Sequence, residues 1–300
     1  MMNAAVRVWV RRPDWGDETA LARRARRVFG APSLYGSFVA WSLGDKRVGS
    51  PQPAGEWMRP EKPLPGTVLY VHGGGFVACS AATHRPITAA LARFAQRCVF
   101  SVDYRLAPEH RYPAAIRDVI AAYEWLLTET SGEPIALAGD SAGGNLVLSL
   151  AIHLRDQRMP RPACIVAFSP WTDLAGTGES ARTNDGLDPM FCAENSGAFA
   201  AAYLGNEKPD SPAVSPVYAN LAHLPPLLLH VGSTETLLDD SRRVHARLRE
   251  AGSQSELRIF DSVAHGWQML VPLVPEGTAS LREAAAFISH HLAMASTHVG

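Results

Sequence analysis

The sequence has little of what marks membrane-embedded or disulfide-stabilised proteins. It holds only four cysteines in 300 residues, with no C-x-x-C spacing, and two lie in apolar strand-like runs, so we expect buried free thiols. The four are Cys79, Cys98, Cys164 and Cys192. No apolar run is long enough to span a bilayer, and arginines and a proline break the first 17 residues, which lack the apolar centre of a signal peptide. The sequence therefore predicts a cytoplasmic protein with no stable membrane association.

The sequence also lacks an excess of charge of either sign. A formal net charge of −1 offers no general attraction to nucleic acid. A Gly-Lys-Ser/Thr phosphate loop is missing, and no histidine pair stands at helical i, i+4 spacing around an acid. Nucleotide-binding and metallohydrolase functions are therefore disfavoured, and we expect no cofactor and no metal. With 47% apolar residues, the chain can bury one sizeable core, which predicts one catalytic domain with an added lid.

The most informative stretch is residues 139–143, Gly-Asp-Ser-Ala-Gly. A short apolar segment precedes it, and leucines at 146, 150 and 154 follow it at helical spacing. A strand, a sharp turn and a helix would hold Ser141 on a strained corner with its hydroxyl exposed, the arrangement called a nucleophile elbow. The two glycines suit unusual backbone angles and a close passage of strand and helix. Gly-rich turns also bind phosphates, so the pentapeptide alone is moderate evidence.

Apolar strand patterns alternate with helix patterns through most of the chain. Predicted strands are 67–71, 98–102, 134–138, 163–168, 227–231 and 256–260, with a short candidate at 55–59. Predicted helices are 84–96, 113–128, 144–154, 240–251 and 278–293. This alternation predicts an α/β fold with a largely parallel sheet.

Two segments fall outside this alternation. Residues 14–45 are predicted to be helical and amphipathic; a solvated basic face is the favoured interpretation, and a docking surface is the alternative. The arginines of that face are Arg23, Arg24, Arg26 and Arg27. Residues 171–217 are rich in glycine and proline around a short helix near 194–203, which predicts a lid over the carboxyl side of the sheet.

Directly after the strand at 67–71 come His72, three glycines and Phe76. Three glycines leave the main chain bare, so its N–H groups can come within hydrogen-bond distance of a substrate oxygen. A plain flexible turn is the alternative, but it needs neither the flanking histidine nor the aromatic residue.

A serine hydroxyl needs a base and a group that orients the base. In an elbow fold these follow the serine in the order acid, then histidine, each on a loop after a later strand. Most later histidines lie within predicted elements, before a strand or in the tail; they are His153, His223, His230, His245, His290, His291 and His298. His265 lies on the loop after the final strand and is the predicted base.

The acid is expected after the strand at 227–231, where three carboxylates occur. Asp239 and Asp240 stand at the start of a helix and are explained as caps. Glu235 is nearest the strand end and is the favoured acid, with the two aspartates as alternatives.

With these residues in place, the chain resembles the hormone-sensitive-lipase family, the bacterial family IV esterases. The resemblance rests on His-Gly-Gly-Gly at 72–75, Asp-Tyr-Arg-Leu-Ala-Pro-Glu at 103–109 and Gly-Asp-Ser-Ala-Gly at 139–143, and it covers about residues 46–290. The family acid lies in a D-x-L-x-D pattern, which residues 235–239 fit with Glu in place of the first Asp.

The resemblance implies an α/β-hydrolase fold with a helical cap. Residues 1–45 and 171–217 would form the cap, and 46–170 with 218–300 the catalytic domain. It also implies oxyanion donors at Gly74, Gly75 and Ala142, and a possible homodimer through the last strand and its helix.

The expected activity is hydrolysis of short- to medium-chain acyl esters through an acyl-enzyme, with a small-molecule ester as the partner. A lactonase or amidase with the same triad is the alternative, and a non-catalytic receptor of this fold is disfavoured because serine, histidine and a carboxylate are all present. Candidate pocket residues, equally explained as ordinary packing, are Phe76, Asp140, Trp171, Met190, Phe191, Tyr203, Trp267 and Met269.

Overall fold

A single mixed sheet forms the centre of the protein. The structure is a computed structural model that describes residues 17–34, 36–38, 43, 46–48, 52–191 and 193–297. The strands are β1 (Lys46–Val48), β2 (Gly55–Met58), β3 (Thr67–Val71), β4 (Cys98–Val102), β5 (Ile135–Asp140), β6 (Ile165–Phe168), β7 (Leu227–Gly232) and β8 (Ser255–Phe260). Within the described residues their spatial order is β1-β2-β4-β3-β5-β6-β7-β8. Strands β3 to β8 are parallel, and β1 and β2 add an antiparallel edge.

Helices cover both faces of this sheet. They are α1 (Glu18–Phe29), α2 (Arg85–Ala95), α3 (Ala114–Glu129), α4 (Ala142–Asp156), α5 (Ser180–Thr183), α6 (Ala193–Leu204), α7 (Leu238–Glu250) and α8 (Pro275–Ser296), with 3₁₀ turns at Pro216–Tyr218 and Trp267–Leu270. Leu69 and Val71 of β3 join the core beneath α3, α4 and α7, whereas Val68 and Tyr70 join the core beneath α2 and α8. Successive side chains of a strand point to opposite faces, so a strand covered on both sides is apolar throughout.

The order of the strands brings the two glycine motifs together. The chain runs from β3 out to β4 and returns to β5 on the other side of β3, so β3 and β5 are neighbours, with Val71 beside Gly139. Such a reversal opens a crevice at the carboxyl ends of the strands. The glycine loop leaves β3 there, and Ser141 follows β5 at the same edge.

The predicted α/β-hydrolase fold is confirmed, with two differences in the N-terminal part. The helical region predicted over 14–45 is interrupted: α1 ends at Phe29, where Gly30 donates its N–H to the carbonyl of Arg26 and Pro32 follows, and helical residues recur at 34 and 36–38. Residues 14–16, 35, 39–42, 44 and 45 of this region lie outside the described part. Strand β1 was not predicted, because three residues are too few to show an alternating pattern.

Arg26 does not belong to a solvated face. Its Nε donates to the carbonyl of Val77 at 2.9 Å, Nη2 donates to the carbonyl of Ala107 at 3.0 Å, and Nη2 pairs with Glu109 at 2.6 Å. That pairing lowers the pKa of Glu109 to about 2. Arg111 forms a second ion pair with Glu18. These contacts tie α1 to the loops after β3 and β4, whereas Arg23 and Arg27 are exposed as predicted.

The segment between β6 and β7 contains α5 and α6, and α6 contacts α1. The division into a catalytic domain and a two-part cap stays a prediction. Cys79, Cys98 and Cys164 are free, as predicted; Cys164 is buried and the other two partly exposed, and Cys192 lies outside the described residues. Among the described helices, none is both long and apolar enough for a transmembrane span.

Candidate active site

Ser141 occupies a strained turn between β5 and α4. Its φ of 53° and ψ of −121° lie in a region of backbone conformation where residues other than glycine are rarely found. The expectation that Gly139 and Gly143 supply unusual angles is wrong, since neither has a left-handed φ. Their role is close approach: a Cβ on Gly139 would come within 2.6 Å of the Gly143 carbonyl oxygen, and one on Gly143 would collide with the carbonyl of Val71. The backbone strain therefore lies on the serine itself.

Main-chain hydrogen bonds hold this turn in place. The Ser141 N–H donates to the carbonyl of Phe168 at 2.9 Å, and its carbonyl accepts from Asn145 at 3.1 Å and Trp171 at 3.0 Å. The side-chain amide of Asn145 also donates to the carbonyls of Trp171 and Val214, each at 2.8 Å. The turn is thereby joined to the end of β6 and to the segment that follows it.

Glu235 and His265 are in direct contact. Nδ1 of the imidazole lies 2.6 Å from Oε2 of the carboxylate, which is wholly buried. The other oxygen, Oε1, accepts from the N–H of Gly232 at 2.6 Å and from the hydroxyl of Ser169 at 2.7 Å. Because Oε1 is held by these two donors, Oε2 is directed at the imidazole.

The two aspartates proposed as alternative acids bind other groups. Asp239 accepts the N–H of Ser180 at 2.8 Å, and Asp240 accepts the N–H groups of Thr172 and Asp173 at 2.6 and 2.8 Å. Their interpretation as helix caps is also wrong, because both lie in the first turn of α7 and its N-terminus has no side-chain cap. Both instead tie α7 to the segment between β6 and β7.

The surroundings of His265 favour its charged form. Burial by itself lowers the pKa of the imidazole, but the adjacent Glu235 outweighs it, and Asp188 and Asp140 add to the effect, so the pKa is raised above 6.5. The Phe191 ring and the imidazole form a T-shaped contact, with centroids 4.8 Å apart and planes at 80°. A site of this kind stabilises a positive charge that forms during proton transfer.

Ser141 and His265 are connected through Phe191 and not by a direct bond. The described residues include no hydrogen bond from the Ser141 hydroxyl to the imidazole. Phe191, which contacts His265, lines the same cavity as Ser141. In free enzymes this contact is often long and tightens only with substrate.

Asp140 supports the glycine loop from below. Its Oδ1 accepts the N–H of Gly73 at 3.0 Å and the Tyr70 hydroxyl at 2.6 Å, and its Oδ2 lies 3.2 Å from Nε2 of His84. Burial by itself raises the pKa of Asp140, but His84 and Tyr70 outweigh it and lower the value to about 2. These contacts order the start of the glycine loop. Asp140 is not among the residues that line the cavity at Ser141, so its place in the substrate pocket stays a prediction.

The glycine loop carries main-chain amides that have no hydrogen-bond acceptor among the described residues. Gly74 and Gly75 have φ values of 108° and 62°, which side chains rarely tolerate. Among the described residues, the N–H groups of Gly74, Gly75 and Ala142 have no acceptor. His72 lies beneath them, stacked on Tyr104 at 4.3 Å, and its carbonyl accepts the Tyr104 hydroxyl at 2.9 Å. Three unpaired amides beside a serine can receive a developing oxyanion.

The cavity at Ser141 is narrow, about 10 Å³, which is about the room that one water molecule needs. Its lining is formed by Gly75, Ser141, Trp171, Phe191, Ser196, Phe199 and Leu237. Trp171 and Phe191 were predicted. Ser196 and Phe199 were missed, although their i, i+3 spacing on α6 was a signal that they share a helix face. Leu237 lies two residues after Glu235, the predicted acid. It was missed because the direction of its side chain depends on the conformation of the turn between β7 and α7.

The remaining candidates lie outside this lining. Phe76 stacks on Tyr203 with centroids 3.8 Å apart, and both are buried core residues. Trp267 packs against Phe260, and Met269 packs against the core beneath α2 and α8, which favours the alternative that both are ordinary packing residues. Met190 is half-buried beside Phe191. The described residues contain no cluster of His, Cys, Asp and Glu suited to a metal ion.

Comparison with known proteins agrees with this architecture. A family model described as the alpha/beta hydrolase fold matches residues 68–269. The chain belongs to this family and, within it, to the bacterial hormone-sensitive-lipase group, as its motifs predicted.

Named relatives and solved structures are similar over most of the chain. An acetyl-hydrolase of Streptomyces hygroscopicus is 37% identical over 236 residues, 78% of each chain. A carboxylesterase/phospholipase of Mycobacterium tuberculosis, LipF, is 42% identical over 74% of this chain and 61% of its own. An esterase from the bacterial hormone-sensitive lipase family superposes with a TM-score of 0.86 at 36% identity, covering 97% of this chain and 98% of its own. The structure of EstE5 soaked with p-nitrophenyl butyrate superposes with a TM-score of 0.87 at 34% identity, covering 97% of both chains.

Proposed function

We propose that this carboxylic ester hydrolase works through Ser141 as nucleophile, His265 as general base and Glu235 as the acid that orients the imidazole. The single observation that carries the proposal is the 2.6 Å contact between Glu235 and His265, both buried beside the strained serine turn. The similarity to proteins named acetyl-hydrolase and carboxylesterase supports the substrate class.

In the proposed reaction, Ser141 Oγ attacks the ester carbonyl while His265 takes its proton. Glu235 holds Nδ1–H, which leaves Nε2 free to accept that proton, and stabilises the imidazolium. The imidazolium then protonates the departing alcohol. In the second half, His265 activates the water that hydrolyses the acyl-enzyme.

The tetrahedral oxyanion is received by the N–H groups of Gly74, Gly75 and Ala142. These amides are fixed before substrate binds, because Asp140 holds the start of the loop and α4 holds Ala142. Fixed donors cost no reorganisation during the reaction, and loss of one such donor typically costs about 3 kcal/mol.

The favoured substrates are esters with short acyl groups, extending to medium chains where the cap moves. The narrow cavity beside Ser141 supports this, since its walls are aromatic and aliphatic and leave little room. Here residues 1–45 and 171–217 act as the cap, with α6 forming one wall. Lactones and amides are the alternative substrates for the same triad. A homodimer and a cytoplasmic location stay predictions.

The test is hydrolysis of p-nitrophenyl esters graded from acetate to decanoate, together with labelling by a fluorophosphonate. Ser141→Ala is expected to fold, to lose on the order of a millionfold in turnover and to lose the label. Ser196→Ala, which changes another serine of the same cavity, should keep the label. Labelling that survives in Ser141→Ala would refute the nucleophile, and a wild-type protein that neither turns over esters nor reacts would favour a receptor.

A further inference from the structure

Asp188 is a buried carboxylate that the proposed reaction does not use. It lies between α5 and α6, in the segment that separates β6 from β7, and its side chain is inaccessible to solvent. A buried carboxylate is costly unless donors satisfy it, so its hydrogen-bond partners indicate what it does.

The two oxygens of Asp188 bind two different loops. Oδ1 accepts the N–H groups of Met190 and Phe191 at 2.8 and 3.1 Å. Oδ2 accepts the N–H of Thr236 at 3.0 Å and its hydroxyl at 3.3 Å. One side chain thereby joins the turn that carries Phe191 to the residue that follows Glu235.

Both ends of this connection reach His265. The Phe191 ring makes a T-shaped contact with the imidazole, and Glu235 holds Nδ1. The same segment makes a second tie, because the Asn184 amide donates to the carbonyl of Glu235 at 2.8 Å. A displacement of the 184–191 segment would therefore disturb both neighbours of the imidazole together.

Asp188 also adds negative charge near the base. Glu235, Asp188 and Asp140 are the charged groups with the largest effect on His265, and all three favour the imidazolium. An asparagine at 188 keeps one acceptor oxygen but removes the charge and one of the two acceptors.

We propose that Asp188 is a positioning residue for His265, which fixes Phe191 and the Glu235 loop on either side of the imidazole and adds to the negative field around it. This inference rests on the proposed function. On this proposal, the segment between β6 and β7 does more than cover the site, because it also helps to hold the His265 imidazole in its orientation.

The experiment compares wild type with Asp188→Asn and with Asp185→Asn, an exposed aspartate on the same segment. Turnover of p-nitrophenyl acetate is divided by the concentration of sites that react with fluorophosphonate, so that unfolded protein does not count. The His265 imidazole is titrated by NMR on ¹⁵N-histidine-labelled protein, with His265→Gln to assign its signal.

Asp188→Asn is expected to lose on the order of 10- to 100-fold in kcat per site with little change in KM, because the base is misplaced while binding remains. Its His265 should titrate at a lower pH than in wild type, and Asp185→Asn should match wild type in both measurements. Wild-type kcat per site in Asp188→Asn, or an unchanged His265 titration, would overturn the proposal.

If Asp188→Asn does not fold, Asp188→Glu replaces it. The longer side chain keeps the charge but displaces the loops, so the His265 titration should stay near wild type while kcat per site falls. Wild-type kcat per site in that variant would overturn the inference. A wild-type protein without esterase turnover would defeat the proposed function alone, since the NMR titration still tests the role of Asp188.

Discussion

Glu235 Oε2 lies 2.6 Å from His265 Nδ1 because two neighbouring parallel strands deliver their loops to one place. Gly232 at the end of β7 is paired with Phe260 at the end of β8. The loops that follow are joined further on, where the Ser262 N–H donates to the Ser233 hydroxyl at 2.9 Å and the Thr234 hydroxyl donates to the carbonyl of Val263 at 3.3 Å. The contact is thus a consequence of sheet order.

The identity of the acid can be tested by comparing two carboxylates. Glu235→Gln should lower kcat by on the order of 10⁴, since an amide no longer fixes the required imidazole tautomer. Asp239→Asn should stay within about tenfold of wild type, because Asp239 accepts an N–H of Ser180 and does not face the base. Steady-state kinetics on p-nitrophenyl acetate measures both, and the opposite ranking would move the acid to Asp239.

Activity should fall as the pH falls through the pKa of His265. The protonated imidazole cannot accept a proton from Ser141, and Glu235 holds its pKa above 6.5 against the effect of burial. The midpoint of the acidic limb of kcat/KM is therefore expected above pH 6.5. In Glu235→Gln the midpoint should move to lower pH, since the main group that raises the pKa is gone. A flat profile from pH 5 to 8 would contradict an imidazole base.

Asp240 should make the folded protein less stable as the pH rises. Burial and the nearby Asp173 raise the pKa of Asp240 from 3.8 to about 7. Between about pH 4 and pH 7 the folded protein keeps a proton on Asp240 that the unfolded chain has released. The contribution of this group to the free energy of unfolding is therefore fully present below about pH 4 and is lost as the pH rises through about 7. Each pKa unit corresponds to about 1.4 kcal/mol.

Thermal denaturation from pH 5 to 8 tests this effect. Wild-type Tm should fall toward pH 8 relative to Asp240→Asn, in which no carboxylate titrates at that position. Asp239→Asn on the same helical turn serves as the control and should follow wild type. Equal slopes for wild type and Asp240→Asn would contradict a raised pKa.

Phe199 should limit the length of the acyl group. Its ring lines the narrow cavity at Ser141, and a Cβ on the neighbouring Gly75 would meet it. Phe199→Ala should raise kcat/KM for the hexanoate relative to the acetate by roughly 10- to 100-fold, since burial of two or three of the added methylenes, at about 0.8 kcal/mol each, contributes about 2 kcal/mol. Leu187→Ala, an exposed change in the same segment, is the control. An unchanged acyl profile would place the acyl group elsewhere.

The fold was predictable because its signals are local. The run at 68–71 is hydrophobic at every position and the strand is buried on both faces, and leucines 146, 150 and 154 mark the buried side of α4. The length of the N-terminal helix was not predictable from amphipathicity, since Gly30 and Pro32 ended the helix within an otherwise suitable composition. Arg26 was misassigned because its partners, Val77, Ala107 and Glu109, are remote in the sequence.

The sequence by itself determined the order of strands and helices, the two glycine motifs and the set of residues among which a nucleophile, a base and an acid had to be sought. These follow from short-range periodicity and from backbone conformations that only certain residues permit. Tertiary structure alone decided that Glu235 and not Asp239 meets His265, that Trp267 belongs to the core, and that Asp188 joins the segment between β6 and β7 to the loop that carries Glu235. Each of those depends on side-chain directions set by packing between segments far apart in the chain, which no local pattern specifies.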